Sequence, residues 1–120
     1  MKKLLLSIVL PLCFIGCTPK IYMASYTFDL SEYNKNGMFI TESNSVSFEY
    51  DPVGLVQTVG GGRSLVNKKY VTLTTREVLD DFVNECKKQG ADAVINIRIV
   101  TSSKDNIPTY QISGMAVKRK

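Results

Sequence analysis

The chain has 120 residues, 44% of them apolar and 22% charged, an ordinary globular composition with room for one domain and one core. It contains no histidine, and no carboxylate pair at a fixed spacing announces an acid–base couple, so Ser-His, Cys-His and acid–base catalysis are not expected and the chain is read as a non-enzyme. Fifteen basic residues against eleven acidic give a net charge of +4, but the positives are scattered, and the single run Lys118-Arg119-Lys120 reads as a solvated tail, so nucleic acid is not an expected partner.

Met1-Lys2-Lys3 followed by the apolar run Leu4 to Cys17 has the layout of an export signal, a positive start and a stretch too short to span a bilayer. Phe14-Ile15-Gly16-Cys17 resembles the lipobox of bacterial lipoproteins, with Phe14 in place of the usual leucine and Ile15 bulkier than the common alanine or serine. The resemblance implies residues 1–16 as signal peptide, lipid on Cys17 and residues 17–24 as a lipidated tether; a plain secreted protein or an uncleaved anchor are the alternatives. Cys13 leaves with the signal, so Cys86 is the lone remaining thiol and no internal disulfide is expected. Thr18 after the lipidated cysteine, without an acidic run in Thr18-Pro19-Lys20, points to an outer membrane and its periplasm-facing leaflet.

Residues 25–120 are read as a single α+β domain. Tyr26 to Tyr33 fits neither helical nor strand period and reads as a short helical turn or a strand. Asn34-Lys35-Asn36-Gly37 is turn chemistry, and Met38 to Thr41 a brief strand. Ser45 to Tyr50 alternates strictly, with Val46, Phe48 and Tyr50 on one face, and Asp51-Pro52 should end it. Val53 to Val59 is a further strand, running into Gly60-Gly61-Gly62. That triplet lacks the Gly-Lys-Ser/Thr of a phosphate loop and the strand-to-helix setting of a dinucleotide loop, so it reads as a flexible hairpin loop before the short strand Tyr70 to Leu73.

Thr74 and Glu77 form a capping box that predicts a helix from Thr75. Val78, Leu79, Phe82, Val83 and Cys86 recur at helical spacing, which puts Cys86 in the core and makes it inert, and Gly90 supplies the left-handed stop. Ala93 to Val100 is a strand with Ile95, Ile97 and Ile99 on one face and Val94, Asn96, Arg98 and Val100 on the other. After a polar loop, Ser102 to Pro108, the strand Thr109 to Lys118 places Tyr110, Ile112, Gly114 and Ala116 on one face and Gln111, Ser113, Met115 and Val117 on the other. Both its faces are partly apolar, as expected of a central strand or one that covers an oligomer contact. Val94, Arg98, Met115 and Val117 are the candidate interface. Arg98, among isoleucines, reads as a solvated or snorkelling side chain, with a cleft or adjoining subunit as the alternative.

The stretch Glu77 to Val100, with Gly90-Ala91-Asp92-Ala93-Val94-Ile95 at the helix-to-strand corner, together with Ile112-Ser113-Gly114-Met115-Ala116-Val117-Lys118, resembles the YbjQ-like heavy-metal-binding domain family, and Asn36-Gly37-Met38-Phe39-Ile40-Thr41 and Tyr50-Asp51-Pro52-Val53-Gly54 resemble segments of small Bacteroides-type lipoproteins. The resemblance implies one main helix packed on a mostly antiparallel sheet and ring-like homo-oligomers. The family's name is not matched by the donors, since a transition-metal site wants imidazole, thiolate or clustered carboxylates and only Asp80-Asp81 are adjacent; neither a metal nor another cofactor is expected. A binding or assembly lipoprotein of the cell envelope, contacting a membrane through Cys17, copies of itself and an envelope protein, ranks first. A metal or small-ligand binder ranks second and an enzyme third.

Overall fold

The computed structural model describes residues 23–63, 69–104 and 107–120; the signal segment, Cys17 and the tether as far as Tyr22 lie outside them. Its best-specified element by sequence is the helix α2, Thr75–Lys88. The Thr74 hydroxyl accepts the Glu77 amide at 3.2 Å and the Glu77 carboxylate accepts the Thr74 amide at 2.9 Å, closing the capping box. Gly90, at φ +87°, turns the chain out of the helix. A five-residue helix α1, Ser31–Lys35, precedes it in the chain.

The strands are β1 (Phe39–Ile40), β2 (Tyr50–Arg63), β3 (Tyr70–Val71), β4 (Ala93–Lys104) and β5 (Ile107–Arg119). They form one curled sheet in the order β1-β4-β5-β2-β3, antiparallel except for β1 beside β4. The α+β architecture with one main helix on a mostly antiparallel sheet is as the sequence predicts.

Helix α2 and strands β2, β4 and β5 enclose the main core. Val78, Leu79, Phe82, Val83 and Cys86 from the helix meet Val94, Ile97, Tyr110, Ile112 and Ala116 from the sheet, all buried. Each large side chain there stabilises by about 1.5–3 kcal/mol on apolar burial alone. At Gly114 a Cβ would stand 2.7 Å from Val94 Cγ1 and 3.2 Å from Phe82 Cζ, so glycine is what lets the helix approach the middle of β5. The segment Tyr26 to Tyr33 straps the open end of this layer. Tyr26 and Phe28 lie edge-on to the Tyr110 ring at 5.5 and 5.6 Å, the Thr75 hydroxyl donates to the Thr27 carbonyl at 2.8 Å, and Tyr33 donates to Asp80.

Several local expectations are corrected. Ser45 to Tyr50 joins no ladder before Tyr50, where β2 begins. The Thr41 hydroxyl instead accepts the Ser43 amide, and the Ser43 hydroxyl donates to the Ser45 carbonyl and accepts the Ser45 amide, an alternative to strand pairing. The alternation still has a cause, because Val46, Phe48 and Tyr50 fold onto Ala93, Ile95 and Val117 and cover one end of the sheet face opposite α2. Asp51-Pro52 starts β2 instead of ending a strand; proline is tolerated on an edge strand, and the register shifts between Pro52 and Gly54. Gly60 and Gly61 are strand residues opposite Tyr110 and Thr109, not a hairpin tip. Gly61 sits at φ +89°, and a Cβ there would meet the Pro108 carbonyl oxygen at 2.4 Å, so the glycines bend β2 where it leaves β5 for β3. Strands β4 and β5 run on through most of the expected loop, pairing Thr101, Ser102 and Ser103 with Tyr110, Thr109 and Pro108.

The largest correction is a bulge in β4. The register shifts between Ile95 and Arg98, and Asn96 lies at φ +53°. Val94 therefore faces the helix while Ile95 joins the opposite face with Ala93, and after the bulge Ile97 and Ile99 return to the helix side. The C-terminal basic run is not a free tail either. Lys118 and Arg119 pair with Asp92, Lys120 pairs with Asp51, and Arg119 stacks over Phe48.

Candidate functional site

The bulge and the 39–50 segment divide the four candidate interface residues. Val94 is sealed in the main core and Val117 is sealed beneath Phe48 and its neighbours, so neither is presented to a partner. Arg98 is exposed, Met115 is half-buried, and both lie on the sheet face opposite the helix. Cross-strand rows there read Leu55–Met115–Ile95, Gln57–Ser113–Arg98 and Val59–Gln111–Val100. Leu55 is 82% exposed, Val59 63% and Val100 59%, so aliphatic side chains stand in water where the 39–50 segment no longer reaches. A depression of about 300 Å³ lies among them, lined by Leu55, Gln57, Asn96, Arg98, Ser113 and Met115. The N-terminal strap does not cover this face; its Phe28 and Leu30 pack on the helix-side core.

The second feature is the flank of β2. Strand β3 pairs with it only at Gly62 and Arg63, so from Tyr50 to Gly61 its outer edge has no strand partner among the described residues. An edge of that length offers a row of backbone donors and acceptors to another extended chain. Above it, Asp81 and Glu85 of α2 and Gln89 just past its end form one wall of a groove of about 550 Å³ whose floor is Gly54 to Val59. The buried Thr58 hydroxyl donates to Asp81 across the base of this groove at 3.3 Å. The outer flank of β4 from Arg98 to Lys104 is likewise without a strand partner among the described residues, since the 39–50 segment bonds it only as far as Ile97.

Metal chemistry finds little material among the described residues. Among the described residues no three of His, Cys, Asp or Glu are grouped as ligands. Cys86 is fully buried, and burial with the neighbouring Glu85 charge pushes its thiol up to about 11, away from the thiolate that binds soft metals. Tyr33 is raised by burial and by its hydrogen bond to Asp80, and Arg76 lies 5.3 Å above its ring while pairing with Glu32 at 2.5 Å. That cluster pins α1 to α2. Asp92 is raised by burial, but the Arg119 amide at 2.8 Å and the Arg119 and Lys118 charges outweigh it, so its carboxyl titrates below the ordinary value. The Gly-Ala-Asp-Ala corner and the Gly-x-Ala-Val strand are thus explained by turning, ion pairing and close packing.

These features define a small α+β domain that offers a strand edge and an open sheet face. The chain belongs to the family described as "putative heavy-metal-binding", which matches residues 37–120. No curated protein matches it. A similar solved structure is a protein of unknown function of the DUF74 family from Pediococcus pentosaceus, 16% identical, covering 70% of this chain and 99% of its own, with a TM-score of 0.49. The heavy-metal donor set that the family description calls for does not fit the described residues, where Cys86 is the one thiol and is sealed in the core.

Proposed function

We propose that this chain is a non-enzymatic lipoprotein of the cell envelope, held at a membrane by lipid on Cys17 and working as a binding or assembly module. The observation that carries the module is the flank of β2 that has no strand partner among the described residues, bordered on the open face by the exposed Leu55 and Val59. Exposed aliphatic residues beside a free strand edge favour association over solvation. A second copy supplies a matching element, because β4 also has a flank without a strand partner among the described residues and both β2 and β4 run antiparallel to β5, hence in the same direction. Head-to-tail pairing of those flanks continues the sheet from one copy to the next and closes into a ring if the rotation allows. An envelope protein with an extended segment is the other partner that the same edge accepts.

The lipid reading is supported by the lipobox-like Phe14-Ile15-Gly16-Cys17 behind a basic start. It is tested by mass spectrometry of the membrane fraction, where an N-terminal lipopeptide beginning at Cys17 is expected and Cys17→Ala leaves the precursor unprocessed or soluble. An unmodified terminus elsewhere contradicts it.

The family description supports a second reading, a metal or small-ligand binder. Asp81 and Glu85 share the groove beside β2, and they are oxygen donors suited to hard cations more than to heavy metals. A saturable rise in the thermal midpoint with zinc or copper would establish that reading in place of the first.

A further inference from the structure

Helix α2 runs along the outer flank of β2 and holds one row of acidic side chains above the strand edge. Glu77 and Asp81 border a depression of about 470 Å³ over Thr58, Val59 and Gly60. Asp81 and Glu85 border the groove over Gly54 to Val59, so the two concavities join at Asp81. A Cβ at Gly60 would stand 2.9 Å from Val78 Cγ2, which puts the start of the helix at the β3 end of this edge. Glu77, Asp81 and Glu85 follow one another at every fourth position and therefore make a single stripe. Four helical residues rise about 6 Å, and two residues of a strand advance about 6.8 Å. Alternate side chains of a strand laid on the β2 edge thus keep step with the three carboxylates.

We infer that the β2 edge takes an extended segment of another protein in which cationic and aliphatic residues alternate. This rests on the reading of the domain as a binding module. The backbone of such a segment pairs with β2 beside Gly54 to Gly60, adding a strand to the sheet. Its cations rise on the helix side to Glu77, Asp81 and Glu85, and its aliphatic residues fall on the open side beside Leu55 and Val59, which already stand in water. The carboxylates keep their charge for this role. Glu77 accepts the Thr74 amide, Asp81 accepts the Thr58 hydroxyl, and Glu85 pairs with Lys88 at 2.9 Å in an exposed contact that contributes little and is readily exchanged. The whole chain carries a net +4, but charges more than about 8 Å away are screened at physiological salt, so the acidic row sets the local field. A second copy satisfies the backbone of the edge but not the carboxylates. Ile99 and Thr101 of β4 pair with the helix-side Ile112 and Tyr110, so with Ser103 they would face the acidic row, and none of the three is charged.

The test uses the full chain in a non-ionic detergent and a fluorescein-labelled peptide, Thr-Lys-Val-Lys-Val-Lys-Thr, read by anisotropy. Saturable binding is expected, with the bound peptide lowering the fraction of self-assembled chain because both occupy one edge. The variant Asp81→Asn with Glu85→Gln keeps both side-chain sizes and an acceptor for Thr58, and it should bind several-fold more weakly at an unchanged thermal midpoint. Two further peptides carry N-methyl groups, one on its lysine amides and the other on its valine amides. One of them should bind and the other fail, because successive amides of a strand point to opposite edges. Equal binding of both methylated peptides overturns strand addition, and equal binding by the double variant overturns the charge selection. A chain that ignores the peptide yet assembles with itself overturns this inference and leaves the module reading standing, while one that does neither overturns both.

Discussion

Replacing Asn96 separates the bulged β4 from the uninterrupted strand that its sequence suggests, because the two give opposite signs. Asn96 lies at φ +53° and its side chain is exposed, so substitution there changes backbone energy with little loss of packing. The left-handed region costs a non-glycine residue about 1–2 kcal/mol, least for Asn and most for a β-branched residue. Asn96→Val is therefore expected to lose about 1–2 kcal/mol, while Asn96→Gly stays within about 1 kcal/mol of the wild type, strain relief offsetting the added freedom of the unfolded chain. In an uninterrupted strand the order inverts, since valine is favoured and glycine weakens a strand by roughly 0.5–1 kcal/mol. Urea unfolding at matched m-values reads the difference. Asn96→Val more stable than Asn96→Gly would refute the bulge, and with it the placing of Val94 in the helix-side core.

The Cys86 thiol, raised to about 11 by burial and the Glu85 charge, should resist alkylation in the native protein and react after denaturation, and Cys86→Ser should cost about 1–2 kcal/mol by burying a hydroxyl among apolar groups. Native labelling at the rate of a free thiol contradicts the core assignment. Asp92 titrates below its ordinary 3.8 in the folded chain, so its contribution to stability is complete above that value and is lost as pH falls through the folded pKa. Asp92→Asn should flatten the acid limb of a stability-versus-pH curve; an unchanged limb contradicts the role given to the Arg119 contacts.

What the sequence made legible was governed by local chemistry and by burial. The helix Thr75–Lys88 was readable to the residue because capping box, apolar stripe and Gly90 all agree. The two faces of β5 were readable because burial alternates along it. Pairing without burial left no trace, so Ser102 and Ser103 read as loop although they belong to β4. Alternation without pairing misled in the other direction, and Val46, Phe48 and Tyr50 read as a strand when they cap a sheet face. The bulge is one exposed asparagine among aliphatic residues, and its effect, reversing which of Val94 and Ile95 meets the helix, was invisible to a period-two count. Of the four candidate interface residues, Arg98, singled out by its place among isoleucines, and Met115 lie on the open sheet face. Leu55 and Val59 were missed because an apolar residue in a strand reads as core until its neighbours are known.

The measurement that tests the assembly surface most directly is light scattering of a soluble chain beginning at Ile21, at micromolar concentration, beside the double variant Leu55→Lys and Val59→Lys. The wild-type chain should run larger than a monomer and the variant as a monomer with an unchanged thermal midpoint, because both side chains already stand in water. A wild-type chain that is strictly monomeric across that range, or a variant that assembles as the wild type does, contradicts the account.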